Sequence, residues 1–160
     1  MTEEMISLII MLLAMTVGSA GAVLVFGIEK RVFWWSVLCV FLAAIGFEVP
    51  TRFFGAGLFT ASLISAVVAA AYADIMAHVL KVPATVMIIP GIIPAVPGGR
   101  LYYTMLAAVN SDMDGFYTEG RNVLLITAGL AIGIIGVTAI SRPINAYLNK
   151  LNQKKQKSRI

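Results

Sequence analysis

Charge is what this chain has least of. Asp, Glu, Lys and Arg make up 12% of its 160 residues, against 59% for hydrophobic ones. Soluble domains carry roughly 25% charged and 45–50% apolar residues, so this chain has too little charge to cover a water-facing surface. With a mean hydropathy of +0.90, lipid must be the solvent for most of it. Cysteine is nearly missing as well. The single Cys39 lies inside an apolar run, which excludes a disulfide framework or a thiolate metal cluster and reads as a small hydrophobe on a helix. One histidine, His78, and no phosphate-binding loop leave little material for catalysis. The composition argues against an enzyme, and no cofactor or metal is expected.

What is present in quantity is long apolar runs. A bilayer-spanning helix needs roughly 20 mostly apolar residues, and five candidate runs occur. Met5 to Phe26 is the first, closed by Glu29-Lys30-Arg31; Val32 to Phe47 is the second, ended by Glu48 and Pro50. Phe54 to Ala73 is the third, followed by Asp74, His78 and Lys81. Val82 to Val109 is the fourth, interrupted by prolines and glycines, and Val123 to Ile140 is the fifth. The acidic start, Met1-Thr2-Glu3-Glu4, and the length of the first run point to a retained helix rather than a cleaved signal. The expected fold is an all-α integral membrane protein of about five transmembrane helices. Residues 1–147 would form a single transmembrane domain and 148–160 a basic cytoplasmic tail.

Five spans place alternate loops on opposite sides. One side then collects Lys30, Arg31, Lys81, Arg142, Lys150, Lys154, Lys155, Lys157 and Arg159, nine in all, and the other only Arg52, Arg100 and Arg121. By the positive-inside bias the N-terminus faces outside and the C-terminus the cytoplasm, in a cytoplasmic membrane. The pI near 9.4 comes from the short tail, which suits anionic lipid headgroups rather than nucleic acid.

Small residues recur at helical spacing. Gly57, Ala61, Ser65, Ala69 and Ala73 form a ladder on the third run. Gly129, Gly133 and Gly136 do so on the fifth, and Gly18 and Ala22 on the first. Such ladders let helix backbones approach closely, either inside the bundle or against another subunit.

The segment Pro90-Gly91-Ile92-Ile93-Pro94-Ala95-Val96-Pro97-Gly98-Gly99 is unlike the rest. Proline removes a backbone donor and clashes with the preceding turn, so three in eight residues cannot belong to one regular helix. Broken backbone at membrane depth is tolerated where it is buried in protein or lines a watery cavity, and discontinuous helices of this kind build solute sites in secondary transporters. The second half-helix is expected to begin near Gly99-Arg100 and continue through Tyr102, Tyr103 and Thr104. Arg100 beside its positive end would suit a substrate carboxylate or, alternatively, a lipid headgroup.

Val82-Pro83, Ile89-Pro90-Gly91-Ile92-Ile93-Pro94, Val96-Pro97-Gly98-Gly99 and Tyr102-Tyr103-Thr104-Met105 together resemble the threonine/serine exporter family. The likeness is to its smaller, C-terminal half, which some organisms encode as a separate subunit. It implies a transporter subunit that exports threonine and serine, driven by the proton motive force, with a larger membrane subunit as partner. Relatives with the same two-part layout are associated with dicarboxylate export. Ala95 stands where the family has a bulkier aliphatic residue, and Arg100 where it has a small or neutral one. A structural subunit whose partner holds the substrate is the alternative from another class.

Ionisable groups near the spans are candidates for proton coupling. Asp74 and His78, four residues apart, could form a proton-responsive pair or two solvated interfacial groups. Glu48 is the acid nearest the membrane on the outer side. Asp112, Asp114 and Glu119, with Asn110, Ser111 and Gly115, read as a solvated acidic outer loop too sparse for calcium.

Overall fold

The computed structural model describes the backbone of residues 2–157, and the side chains of residue 3 and residues 5–141. The elements are α1 (Thr2–Val25), α2 (Lys30–Phe53), α3 (Leu58–Leu80), α4 (Thr85–Ile92), a 3-10 turn (Ile93–Ala95), α5 (Gly98–Val109) and α6 (Met113–Lys157). The protein is all-α. Among the described residues four helices are long and apolar enough to cross a bilayer, and the apolar segment Thr85–Ala95 is shorter. The fourth expected span is thus two short helices in series.

Helix α3 is the centre of the bundle because its side chains are small on two faces. On one face, Ser65 donates to the Ala43 carbonyl at 2.7 Å and Cys39 Sγ lies 3.6 Å from the Ala69 carbonyl. Residue numbers fall along α2 as they rise along α3, so the two helices are antiparallel. On the other face, a Cβ at Gly129 would meet Ser62 and the Phe59 carbonyl, and one at Gly133 would meet Ala66 Cβ at 2.7 Å. Here both numberings rise together, so α6 runs parallel to α3 and touches it backbone to backbone. In lipid, where apolar burial between helices gains little, such close packing is what holds helices together.

Helix α4 lies in the groove between α2 and α3. Met87 and Ile88 join Val32, Cys39, Ala69, Ala73, Met76 and Leu80 in one buried cluster. Higher up, Ala95 packs with Ala66, Ile126 and Leu130 beside Phe47 and Leu58. The chain therefore climbs from the C-terminal end of α3 toward its N-terminal end, antiparallel to α3 and α6. Helix α5 continues upward along the first turns of α6: Thr104 faces Gly120, and Ala107 faces Gly115. Apolar side chains such as Ile9, Val17, Leu24, Ile132 and Ile135 stay exposed on the outside of the bundle, as lipid-facing positions require.

Several expected boundaries move. Helix α2 does not stop at Glu48 and Pro50 but carries Pro50 inside its last turn and ends at Phe53. The third helix runs past Ala73 to Leu80, with Asp74 and His78 near its end as expected. The acidic loop shrinks to Asn110-Ser111-Asp112, with Ser111 at φ 58°. Asp112 caps α6 by accepting the Gly115 N–H at 3.0 Å, which draws Asp114 and Glu119 into the helix. The backbone of α6 then runs on past Arg142-Pro143 as helix. The side chains of the expected basic tail lie outside the described residues.

Candidate functional site

The broken segment is more helical than its prolines suggest. Pro90 and Gly91 sit inside α4, Pro94 occupies the first turn of the 3-10 helix, and only Val96-Pro97 departs from helical backbone. At Pro94 the missing N–H is no loss, because the first N–H groups of a helical turn have no intrahelical partner. Pro97, with ψ 50°, is the N-cap of α5, so the second half-helix starts at Gly98.

The glycines of the segment do different things. Gly91 is buried, and a Cβ there would fall 2.7 Å from Cys39 Sγ and 3.6 Å from Ala69 Cβ. Gly98 and Gly99 are exposed, and a Cβ at either meets nothing within 4 Å. Thr104 is buried against α6 and donates to the Arg100 carbonyl at 2.8 Å, whereas Tyr102 and Tyr103 are exposed, 63% and 58%. Arg100 is not an open cation beside the helix start. Its Nη1 pairs with Glu119 Oε2 at 3.1 Å and ties α5 to α6.

Other candidates fall at the two ends of the bundle. At the end where α2 finishes and α3 begins, Glu48 is 6% exposed and its carboxylate accepts from Arg52 Nε at 2.9 Å. Arg52 Nη2 also lies 3.0 Å from Met11 Sδ on α1. The Ala95 turn packs at this same end, beside Phe47. At the opposite end, Asp74, His78 and Lys81 line an open groove with Val82, Pro83 and Ala84. There His78 Nδ1 lies 2.7 Å from the Asp74 backbone carbonyl, the geometry of an N–H donating to that oxygen.

The packing ladder is also divided. Ala61, Ser65, Ala69 and Ala73 are buried, but Gly57 is the exposed N-cap of α3 and meets no neighbour. Gly129 and Gly133 are in tight contact with α3, while Gly18 and Gly136 are open.

Two groups that sequence reading passed over stand out. Ser36 Oγ and Tyr72 Oη are buried without a hydrogen-bond partner, the two such side-chain oxygens among the described residues. Inside long apolar runs a lone hydroxyl gives no warning, because most donate to the carbonyl one turn earlier, as Thr51 and Thr127 do here. A periodic reading of α2 could have flagged Ser36, since it shares a face with Val32, Cys39 and Ala43.

The family model described as "Threonine/Serine exporter, ThrE" matches residues 11–140. The chain belongs to the threonine/serine exporter family. That match takes in all four long apolar helices in whole or in part, and the whole of the broken segment. No curated protein and no solved structure matches the chain. The protein is thus a multi-pass membrane protein of the threonine/serine exporter type, and its expected setting, a lipid bilayer and a small-molecule substrate, follows from that membership.

Proposed function

We propose that this chain is the smaller of two membrane subunits that together export threonine and serine across the cytoplasmic membrane. The observation that carries the reading is the series α4–turn–α5, an interrupted helix antiparallel to both α3 and α6 whose first half is wedged between α2 and α3 and whose second half packs along α6. Interrupted helices packed in protein are where secondary transporters handle polar solutes. Support for a second subunit comes from Gly18 and Gly21 of α1, small residues with nothing against them, where another helix backbone could approach closely. A larger exporter subunit would cover such a face.

Coupling to protons is assigned to Glu48, the buried acid at the break end of the bundle, with Asp74 and His78 as an interfacial relay at the other end. The N-terminus is outside and the C-terminus cytoplasmic, on the weight of the basic loops. No enzymatic role is proposed.

The test is efflux from cells preloaded with labelled threonine, serine or succinate, expressing this chain with and without the membrane protein that co-purifies with it. Efflux of the two amino acids only when both are present is the expected result. Efflux of succinate alone would give the protein to dicarboxylates. Full efflux by the partner without this chain would make the chain a scaffold.

A further inference from the structure

Two cross-links set the register of α2 against α3: Ser65 Oγ to the Ala43 carbonyl, and Cys39 Sγ to the Ala69 carbonyl. One turn further along the same antiparallel stripe, Ser36 comes level with Tyr72. A turn beyond that, Val32 and Met76 share a single buried cluster, as the register requires. Ser36 is 0% exposed, and its side chain belongs to the stripe Val32, Ser36, Cys39, Ala43. Tyr72 packs against the same cluster. By this register Ser36 and Tyr72, whose side-chain oxygens are the two without a partner among the described residues, stand at one level of the α2–α3 interface.

Helix α4 closes that interface. Gly91 lies against Cys39 and Ala69 on one side of this level, and Met87 and Ile88 lie in the cluster with Ala73 and Met76 on the other. A buried hydroxyl left without a partner is destabilising, and Ser36 has a ready partner in the carbonyl of Val32, one turn earlier, which it does not take. Removing such a group would ordinarily be neutral or stabilising. Two residues with such groups, at one level of the interface that the interrupted helix closes, point to a ligand with hydrogen-bonding groups of its own.

We infer that Ser36 and Tyr72 form a hydrogen-bonding station for the transported solute at the interface of α2, α3 and α4, and that it takes a net-neutral solute such as a zwitterionic hydroxy amino acid. Each hydroxyl can donate and accept, so together they serve a hydroxyl, an ammonium or a carboxylate. The side chains packed around them, Val32, Cys39, Ala69, Ala73, Met76 and Met87, carry no charge. A doubly charged dicarboxylate would be desolvated there with no cation to meet it, which disfavours its entry. The inference rests on the exporter reading and adds to it a place and a charge rule.

The experiment uses Ser36→Ala and Tyr72→Phe, each of which removes one oxygen, in cells that also express the partner. Thr127→Ala, on the exposed side of α6, is the control. Each hydroxyl variant is expected to raise the internal threonine concentration for half-maximal export about 3–10-fold, the loss of one good hydrogen bond. Thermal stability of the purified complex should be unchanged or higher, and excess internal succinate should not compete. Unchanged kinetics in both variants, with wild-type export intact, overturns the station and leaves the exporter reading standing. Failure of either variant to insert or assemble, or a lower unfolding temperature with normal kinetics, marks the hydroxyls as structural and overturns it too. Absence of threonine and serine export in the wild type removes the exporter reading, and the inference with it.

Discussion

Gly91 and Gly98 carry the same letter in the same proline-rich segment, yet their surroundings separate them. Gly91 is a contact: a methyl there would collide with Cys39 Sγ at 2.7 Å. Overpacking a tight site costs roughly 1–3 kcal/mol, so Gly91→Ala should lower the unfolding temperature in detergent, and Cys39→Ala in the same chain should restore most of it. Gly98→Ala, with open space around it, should leave the unfolding temperature and export within error of wild type. The sequence signals both glycines equally because it reports backbone freedom, whereas the neighbour that blocks a side chain comes from 52 positions earlier in the chain, at Cys39. Glu48 is a second case. Arg52→Met would leave a buried carboxylate without its donor, at a cost of about 1–3 kcal/mol or more, and adding Glu48→Gln should recover stability. If Glu48 carries the coupling proton, Glu48→Gln alone should flatten the pH dependence of export while the complex still assembles.

Among the elements, α3 and α6 are held backbone to backbone. Gly129 and Gly133 lie against Ser62 and Ala66 with no room for a Cβ. Gly129→Val should therefore separate the two helices and remove the folded protein from the membrane fraction, as read by detergent-resistant monodisperse yield. The open Gly136 is the matched control, and Gly136→Val should be tolerated. The α5–α6 hairpin is tied differently, by Arg100 and Glu119 across its base and by Asp112 at its turn. Both side chains of that ion pair are partly exposed, so Arg100→Ala should cost less than about 1 kcal/mol. A loss of export without loss of stability in that variant would mean that Arg100 serves the solute in addition to its tie. The helix ladders were legible in sequence because small residues every fourth position advertise close approach. Which ladder faces inward was not, since Gly57, Gly18 and Gly136 follow the same spacing as residues that pack.

For the whole molecule, the long apolar runs and the family match agree on a multi-pass transporter, and the proposals concern its company and direction. Co-purification after mild solubilisation should recover a second, larger membrane protein, and this chain alone in liposomes should move no threonine. Reporters active on one side only, fused at either end, should report an outside N-terminus and a cytoplasmic C-terminus. A cytoplasmic N-terminus with an outside C-terminus would invert the whole bundle, since α4 and α5 return the chain between the parallel helices α3 and α6.

Composition settled the solvent: a chain with 12% charged residues cannot cover itself in water, and its apolar runs must form helices because lipid offers no hydrogen bonds to an open backbone. Proline spacing announced an interruption somewhere between residues 90 and 99, since prolines act through their own peptide and the turn before, but not its place within that stretch. Only the tertiary structure decided that Pro90 and Gly91 remain helical, that Arg100 is paired with Glu119, and that Ser36 and Tyr72 fall at one level of the α2–α3 register. Those outcomes depend on the register of one helix against another, which is fixed by contacts between residues far apart in the chain and is carried by no single stretch of it.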